Sequence, residues 1–368
     1  MKKLMLTTAL ASVLTTAAIA QTTVTGELRV SYSDITMKKG SLGGTDGSGG
    51  STADTSYGFG VEQQLNIQTK GKLNVGGLDY AAGFSIENDG NQTGTLFNEN
   101  TYIDLINPRS GTTVSFSRDH IQRSDTDFSA TNLVGFSPNE LSQTNGATSN
   151  GTRFKQTIGA GPGAAFGAAI VQKTPVGSFS YLYVPNNSGT GDQGGPAATA
   201  GLGGSEDVPA NTTSAYEYGF LGDFGVKGLQ VHYFKNKNDD FVTGTNTVEA
   251  EAKNYGIKYN FGQVTVAANK KKHQQETLVA SVTSGVQSEI TETAFAAAYA
   301  VNKDITIGLL MAKATRDNST VDQKIRAVNL GYALGPVDLS IGYGKNKDQG
   351  GVVGGDTDHV IARLIGKF

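Results

Sequence analysis

The sequence predicts an all-β chain, folded as a transmembrane, antiparallel, up-and-down β-barrel of about 16 strands. Three observations carry that expectation. The N-terminus has the pattern of a cleavable export segment. After residue 20 no apolar run reaches the roughly 18 residues that a membrane-crossing helix requires. The remainder of the chain has a dominant period of two, the signature of strands with two unlike faces. An exported chain that enters a membrane without such a helix must close its sheet, because only helices and closed barrels satisfy every backbone group in lipid.

The export segment comes first. Met1, Lys2 and Lys3 supply its positive start, Leu4 to Ile19 is apolar or small, and Ala18-Ile19-Ala20 is a small-x-small cleavage site. Cleavage after Ala20 gives a signal peptide, 1–20, and a mature barrel domain, 21–368, beginning at Gln21. The other reading, a retained N-terminal anchor, suits the run poorly because it is short and rich in Ala and Thr. With no Cys anywhere, lipoprotein processing, disulfides, zinc–thiolate sites and thiol nucleophiles are excluded together. A hydrophobic content of 37% is lean for a soluble core of this length, and 49 glycines imply many turns. A net charge of -3 argues against a nucleic-acid partner.

The strands follow in order. In 23–33, Val24, Gly26, Leu28, Val30 and Tyr32 share one face, and Thr25, Glu27, Arg29 and Ser31 the other. A Gly/Ser/Thr tract, 34–54, reads as a long polar loop. In 56–70, Tyr57, Phe59, Val61, Leu65 and Ile67 alternate with Glu62, Gln64 and Asn66; a Val75-Gly76-Gly77 turn then leads to 77–87, where Tyr80, Ala82, Phe84 and Ile86 alternate with Asp79, Ser85 and Glu87. The same rhythm marks 97–106, 112–118, 152–159, 164–184, 214–221 and 229–236. It continues through 249–261, 264–272, 290–301, 305–316, 322–333, 337–346 and 358–368. The segment 164–184 contains Pro175, which breaks a ladder, so an interruption is expected there. Short connections (Gly262-Gln263, Asn302-Lys303-Asp304, Leu334-Gly335-Pro336) alternate with long polar ones, including 34–54, 273–289 and 346–356. That asymmetry, with Tyr and Phe gathered on the apolar face near strand ends, is the pattern of an outer-membrane barrel.

The last strand ends Val360-Ile361-Ala362-Arg363-Leu364-Ile365-Gly366-Lys367-Phe368, with Val360, Ala362, Leu364 and Phe368 on one face. It resembles the closing strand of Gram-negative outer-membrane proteins, although Gly366 stands where such strands usually carry an aromatic. Residues 101–119, Thr-Tyr-Ile-Asp-Leu-Ile-Asn-Pro-Arg-Ser-Gly-Thr-Thr-Val-Ser-Phe-Ser-Arg-Asp, resemble the fourth strand, tight turn and fifth strand of general diffusion porins. The whole mature chain is similar to that family, in particular to its Rhodobacter-type, alphaproteobacterial members. Ser137-Pro138-Asn139-Glu140 only loosely echoes the Pro-Glu-Phe of enterobacterial relatives.

The resemblance implies a water-filled pore in the outer membrane that passes small polar solutes and ions. It also implies a homotrimer, a third loop folded inward over about 119–151, and a terminal Phe368 read by the barrel-assembly machinery. Selectivity in such pores comes from facing clusters of charge. The loop offers Asp119, Asp125, Asp127 and Glu140. The facing wall offers Arg29, Arg153, Lys155, Lys258 and Arg363, all out of phase with the apolar face. Arg118 shares parity with Val114 and Phe116, so the strand is expected to end before it and send it into the pore with the loop. Inward Glu27, Glu62, Asp79, Asp104 and Glu217 offset the bases, and the loop acids tilt the expected preference toward cations.

Other functions stay open at this point. A substrate-specific channel calls for a file of lumen aromatics, whereas Tyr and Phe here fall mostly on the lipid face. An enzyme barrel calls for a Ser/His or Asp/His constellation, and the four His residues (120, 232, 273, 359) are scattered with no metal-ligand spacing. A soluble adhesin would need no detergent. No cofactor is expected. Asp/Gly-rich loops such as Asp89-Gly90-Asn91 could collect oxygens for Ca²⁺, but they lack an EF-hand spacing and read as turns. Lys270-Lys271-Lys272 reads as a solvated strand end or as a contact for lipopolysaccharide phosphates.

Overall fold

The computed structural model describes residues 21–37, 55–89, 97–117, 120–121, 130–142, 166–184, 214–243, 246–279, 286–317, 319–351 and 353–368. The strands in them are β1 (Gln21–Met37), β2 (Thr55–Lys72), β3 (Asp79–Asp89), β4 (Phe97–Asn107), β5 (Thr112–Ser117), β6 (Gly167–Thr174), β7 (Gly177–Val184) and β8 (Ser214–Gly222). They continue as β9 (Leu229–Thr243), β10 (Asn246–Asn260), β11 (Val264–Val279), β12 (Val286–Ala300), β13 (Ile305–Arg316), β14 (Gln323–Ala333), β15 (Val337–Lys347) and β16 (Thr357–Lys367). Each pairs antiparallel with its neighbour in the chain, and β1 pairs with β16, so the sheet closes into a barrel of sixteen strands. Across the seam Glu27 partners Lys367 and Met37 partners Thr357.

Alternation sorts the side chains as the sequence predicts. Ile103, Phe116, Ile170, Ile257, Phe295 and Leu309 lie exposed on the outside. Ser85, Asp104, Ser115, Glu217, Asn254 and Glu292 are buried on the lumen side. Aromatic rings mark two levels of the outer wall: Tyr233 and Tyr255, 5.2 Å apart, toward the loops, and Tyr259 and Phe261, 4.5 Å apart, at a short turn. These are the girdles expected where an apolar band meets polar headgroups.

The strand count agrees with the sequence, but two assignments change. The expected strand 152–159 lies outside the described residues, and the expected 164–184 is two strands, β6 and β7. They fold back at Pro175-Val176, with Thr174 opposite Gly177. Proline lacks the N–H a continuing ladder needs, and Gly177 adopts φ 149° and packs on Gly222, where a Cβ would lie 2.5 Å from the Gly222 Cα.

The second change is height. The expected polar loop 273–289 is mostly strand, because β11 runs to Val279 and β12 starts at Val286. Likewise β9 and β10 are longer than their alternation suggested, and only residues 244–245 separate them. Above the apolar band both faces of a strand are polar. Alternation then fades while backbone pairing continues, and a hydrophobic period cannot see the extension. The first loop is shortened similarly, with Asp34 of β1 paired to both Tyr57 and Val360.

At the seam, Gly26 N–H donates to the Phe368 carbonyl at 2.7 Å and Phe368 N–H donates back to Gly26 at 3.0 Å. The Phe368 ring lies directly over Gly26, where any Cβ would strike it. The ring is 77% exposed and can swing aside, so Gly26→Leu is expected to lower the heat-unfolding midpoint by less than the ~1–3 kcal/mol of core overpacking. A scan of the variant in detergent tests this, and a larger drop would show that the ring itself is locked over Gly26.

Candidate functional site

The lumen carries the site, and residues 130–142 of the third loop are its main feature. They lie against the inner wall, with Phe136 and Leu141 fully buried among Ala294, Leu310, Ala312, Ile325 and Ile361. All five wall residues sit on the face opposite the exposed Leu309, Met311 and Val328. Strands β12–β14 are thus apolar on both faces, a pattern that implies cover on both sides. Lipid covers one and the loop covers the other. The wall is also thinned for close approach: a Cβ on Gly308 would lie 2.5 Å from Val134 Cγ2, and one on Gly342 2.7 Å from the Phe136 ring.

The loop shapes itself locally. Ser137-Pro138-Asn139-Glu140 opens a single helical turn, Pro138–Leu141. Ser137 N–H donates to Glu140 Oε2 at 2.8 Å, and Glu140 N–H donates to Ser137 Oγ at 3.3 Å. This is a capping box with proline in the first helical position. It turns the second carboxylate oxygen of Glu140 toward the wall, where it accepts a hydrogen bond from Arg363 Nη2. Arg363 also donates through Nη1 to the Gly135 carbonyl at 3.2 Å and through Nε to Ser31 Oγ at 3.3 Å. Its guanidinium covers the Phe136 ring at 4.9 Å. Asn346 Nδ2 holds the Leu141 carbonyl at 2.9 Å, and Gln349 Nε2 holds that of Ser142 at 2.5 Å.

The near end of the loop is held on the other arc of the barrel. His120 stacks on Tyr102 at 3.7 Å between ring centroids and meets Asp104 at 3.2 Å. Ile121 packs with Ala169, Leu182, Val184 and Ala215 of β6–β8. Between the arcs runs a lumen-side polar chain: His232 bonds Asn254 at 3.0 Å, Asn269 donates to Asn254 at 2.7 Å, and the Ala130 N–H donates to Asn269 at 3.4 Å.

Of the expected site residues, Glu140 and Arg363 meet directly, and Arg29 lies on the adjoining strand with acids of its own. Arg29 faces the lumen from β1, bonded to Glu62 of β2 and, at 2.9 Å, to Glu27. Its neighbour on the same face, Ser31, is in register with Arg363. Charges of both signs therefore line β16, β1 and β2. Lys258 does not join them, since it faces the lumen from β10, opposite Gln230. Asp79 pairs with Lys72 at 3.3 Å beside the short turn that joins β2 to β3, away from this cluster. Arg118, Asp119, Asp125, Asp127, Arg153 and Lys155 lie outside the described residues, although β5 does end at Ser117, one residue before Arg118.

Sequence reasoning missed several lumen groups. The run Lys270-Lys271-Lys272 is divided by parity. Lys271 is 1% exposed on the lumen side, while Lys272 points outward to Glu289 at 3.0 Å. His273 meets Glu292 at 3.6 Å on the inner wall, near buried Arg316. Only His273 lay in what read as a loop, where parity carries no meaning; Lys271 stood inside the expected strand 264–272, where its parity opposite the exposed Val264 and Val266 could have placed it inward. Among the described residues no group of three or more His, Asp or Glu is placed to hold a metal ion.

The family model described as Gram-negative porin matches residues 7–361. No curated protein matches the chain. An anion-selective porin from Comamonas acidovorans has a similar structure, with a TM-score of 0.66 at 15% identity over 95% of this chain and 100% of that one. OmpF of Salmonella typhi, in complex with daunomycin, gives 0.61 at 11% identity over 95% and 98%. A mutant of the Rh. blastica porin gives 0.52 at 14% identity over 95% and 100%. At such identities the likeness is one of fold, and it agrees with the closed barrel described above. Since the family match runs through nearly the whole barrel, this chain belongs to the Gram-negative porins and forms a diffusion channel in the outer membrane.

Proposed function

We propose that the channel is a passive, weakly selective pore for small hydrophilic solutes and ions, narrowed where loop 119–151 meets the wall of β16, β1 and β2. The observation that supports this most directly is the hydrogen bond between Glu140 on the loop and Arg363 on the wall. Around it Arg29, Glu27 and Glu62 supply charge of both signs. Asp119, Asp125 and Asp127 would add acids on the loop side, and Arg118, Arg153 and Lys155 bases near it. Acids facing bases across a narrow gap produce a transverse field that orients dipolar solutes. The reading invokes no cofactor and no catalytic step. It includes a homotrimer, removal of the signal peptide after Ala20, and recognition of Phe368 during assembly.

A general pore is favoured over a substrate-specific one by the fate of the lumen aromatics. Among the described residues Tyr102, Phe136 and Phe234 are 8%, 0% and 3% exposed, so they offer passing solutes no stacking surface. Single-channel recording in a planar bilayer under a salt gradient tests the proposal. Stepwise ohmic insertions, grouped in threes, are expected. Asp125→Asn, Asp127→Asn and Glu140→Gln together should shift the reversal potential toward anions. An unmoved reversal potential would dismiss the loop acids as the source of selectivity, and a silent, folded barrel would overturn the open pore.

A further inference from the structure

On the outer wall of β13–β15 the outward side chains change from apolar to cationic at one level. Tyr343 is followed by Lys345 and Lys347, Val328 by Arg326 and Lys324, and Met311 by Lys313. The register sets these cations against one another. Arg326 partners Lys345 and Lys324 partners Lys347 across β14–β15, and Lys313 partners Lys324 across β13–β14. Like charges directly opposite destabilise a sheet. Elsewhere at this height the outward cations are matched by acids: Lys235 and Lys253 each meet Glu251 at 2.6 Å, and Lys237 meets Glu249 at 2.8 Å. On β13–β15 the acids are fewer. Asp322 serves Lys313 at 2.8 Å, and Asp358 stands in register with Lys345. Hydrogen bonds from Lys313 and then Thr315, with attraction to Lys313 and more weakly to Lys324, hold the Asp322 carboxyl below the usual carboxylate range. Among the described residues no carboxylate forms an ion pair with Lys324, Arg326 or Lys347.

Directly below these charges the wall is hollowed. A groove of about 420 Å³ runs between Phe295, Leu309, Met311, Val328 and Tyr343, with Arg326 and Lys345 at its rim. We propose that the groove and its cationic rim bind a phosphate-bearing lipid of the surrounding leaflet. An acyl chain lies along the groove, and the phosphate sits among Arg326, Lys345, Lys324 and Lys347. The rim stands on the side of the long loops, so the leaflet is the outer one. Charge complementarity argues for this occupant: a phosphate relieves the repulsion that the register imposes. The Arg326 fork suits a phosphate face, and the edge of the apolar band strengthens the attraction. The expected Lys270–Lys272 contact is a weaker candidate, since Lys271 points inward and Lys272 is held by Glu289.

The folded full-length protein in uncharged detergent can be titrated with dioctanoyl phosphatidic acid while its heat-unfolding midpoint is followed. The midpoint should rise by mass action. In Arg326→Gln/Lys345→Gln the apparent affinity should fall roughly thirty-fold, taking about 1 kcal/mol for each basic group at a membrane surface. Lys324→Gln/Lys347→Gln should weaken binding too, and serves if the first variant fails to fold. Val328→Trp, which fills the groove and leaves the cations in place, should also lose affinity. Lys270→Gln/Lys272→Gln should bind as the parent does. Equal binding by the parent and both rim variants overturns the site. Inorganic phosphate matching the lipid in effect would make it a free-anion site and overturn the lipid. A change in oligomer mass in the rim variants, with lipid affinity intact, would assign the face to a second copy of the chain and overturn the proposal as well.

Discussion

Gly342→Leu is expected to drive the third loop off the wall and to raise single-channel conductance more than any other single substitution in the barrel. The Cβ it adds would lie 2.7 Å from the Phe136 ring, 3.0 Å from Asn329 Oδ1 and 3.2 Å from Ile361 Cγ2. None of these can yield cheaply, because Phe136 is fully buried and Ile361 is 4% exposed. Overpacking of this kind costs about 1–3 kcal/mol, comparable to the roughly 1.5–3 kcal/mol gained by burying the Phe136 ring. The loop's attachment is therefore balanced against the intrusion, while Asn329 of β14 and Ile361 of β16 must also repack around the new side chain. The backbone ladder keeps its pairing, so the barrel should stay folded with a somewhat lowered heat-unfolding midpoint, while the pore widens. Gly308→Leu, whose Cβ would meet Val134 at 2.5 Å, should add to the effect. If conductance is unchanged in both variants, residues 130–142 do not limit the pore.

The second large effect is expected from Arg363→Glu. That side chain makes hydrogen bonds to Glu140, Gly135 and Ser31 and covers Phe136. Reversal replaces all of these with repulsion toward Glu140. Removing one partner of a buried pair costs about 3–5 kcal/mol. Arg363 and Glu140 keep 13% and 22% of their side-chain surface, which moves the expectation toward the 2–3 kcal/mol typical of hydrogen bonds to charged groups. The loop should lose its anchor, the open-channel current should become noisier, and the reversal potential should move toward cations. Arg363→Lys keeps the charge without the planar fork, so it should retain selectivity but show part of the noise. A reversal potential indifferent to the sign of the charge at position 363 would place Arg363 outside the conduction path.

Both predictions rest on features half visible in the sequence. Ser137-Pro138-Asn139-Glu140 reads as a capping box once its spacing is considered, and the box is what aims Glu140 at the wall. The apolar inner faces of β12–β14 were also written out, as in Thr-Ala-Phe-Ala-Ala-Ala-Tyr-Ala, 293–300, and Ile-Gly-Leu-Leu-Met-Ala, 307–312. A strand that departs from alternation toward apolar residues on both faces announces a cover on its inner side, and that signal could have located the loop's resting place. His273 gave no such sign. Its inward direction depends on β11 continuing past the apolar band, where the residue pattern no longer distinguishes the faces, whereas Lys271 shares parity with the inward Ala267 and Asn269 of the expected strand.

The sequence by itself determined the closed antiparallel barrel, the strand count, the lipid-facing residues and the lumen positions of Arg29, Lys258 and Arg363. All follow from a two-residue period acting through lipid that tolerates no unpaired backbone. Tertiary structure decided which charges meet. Glu140 and Arg363 are separated by more than two hundred residues, and only the closure of β16 on β1 and the fit of Phe136 over Gly342 bring them together. It also decided that Arg326 faces Lys345 on the outer wall, because a cross-strand register is set by the turn and the whole ladder rather than by either strand alone.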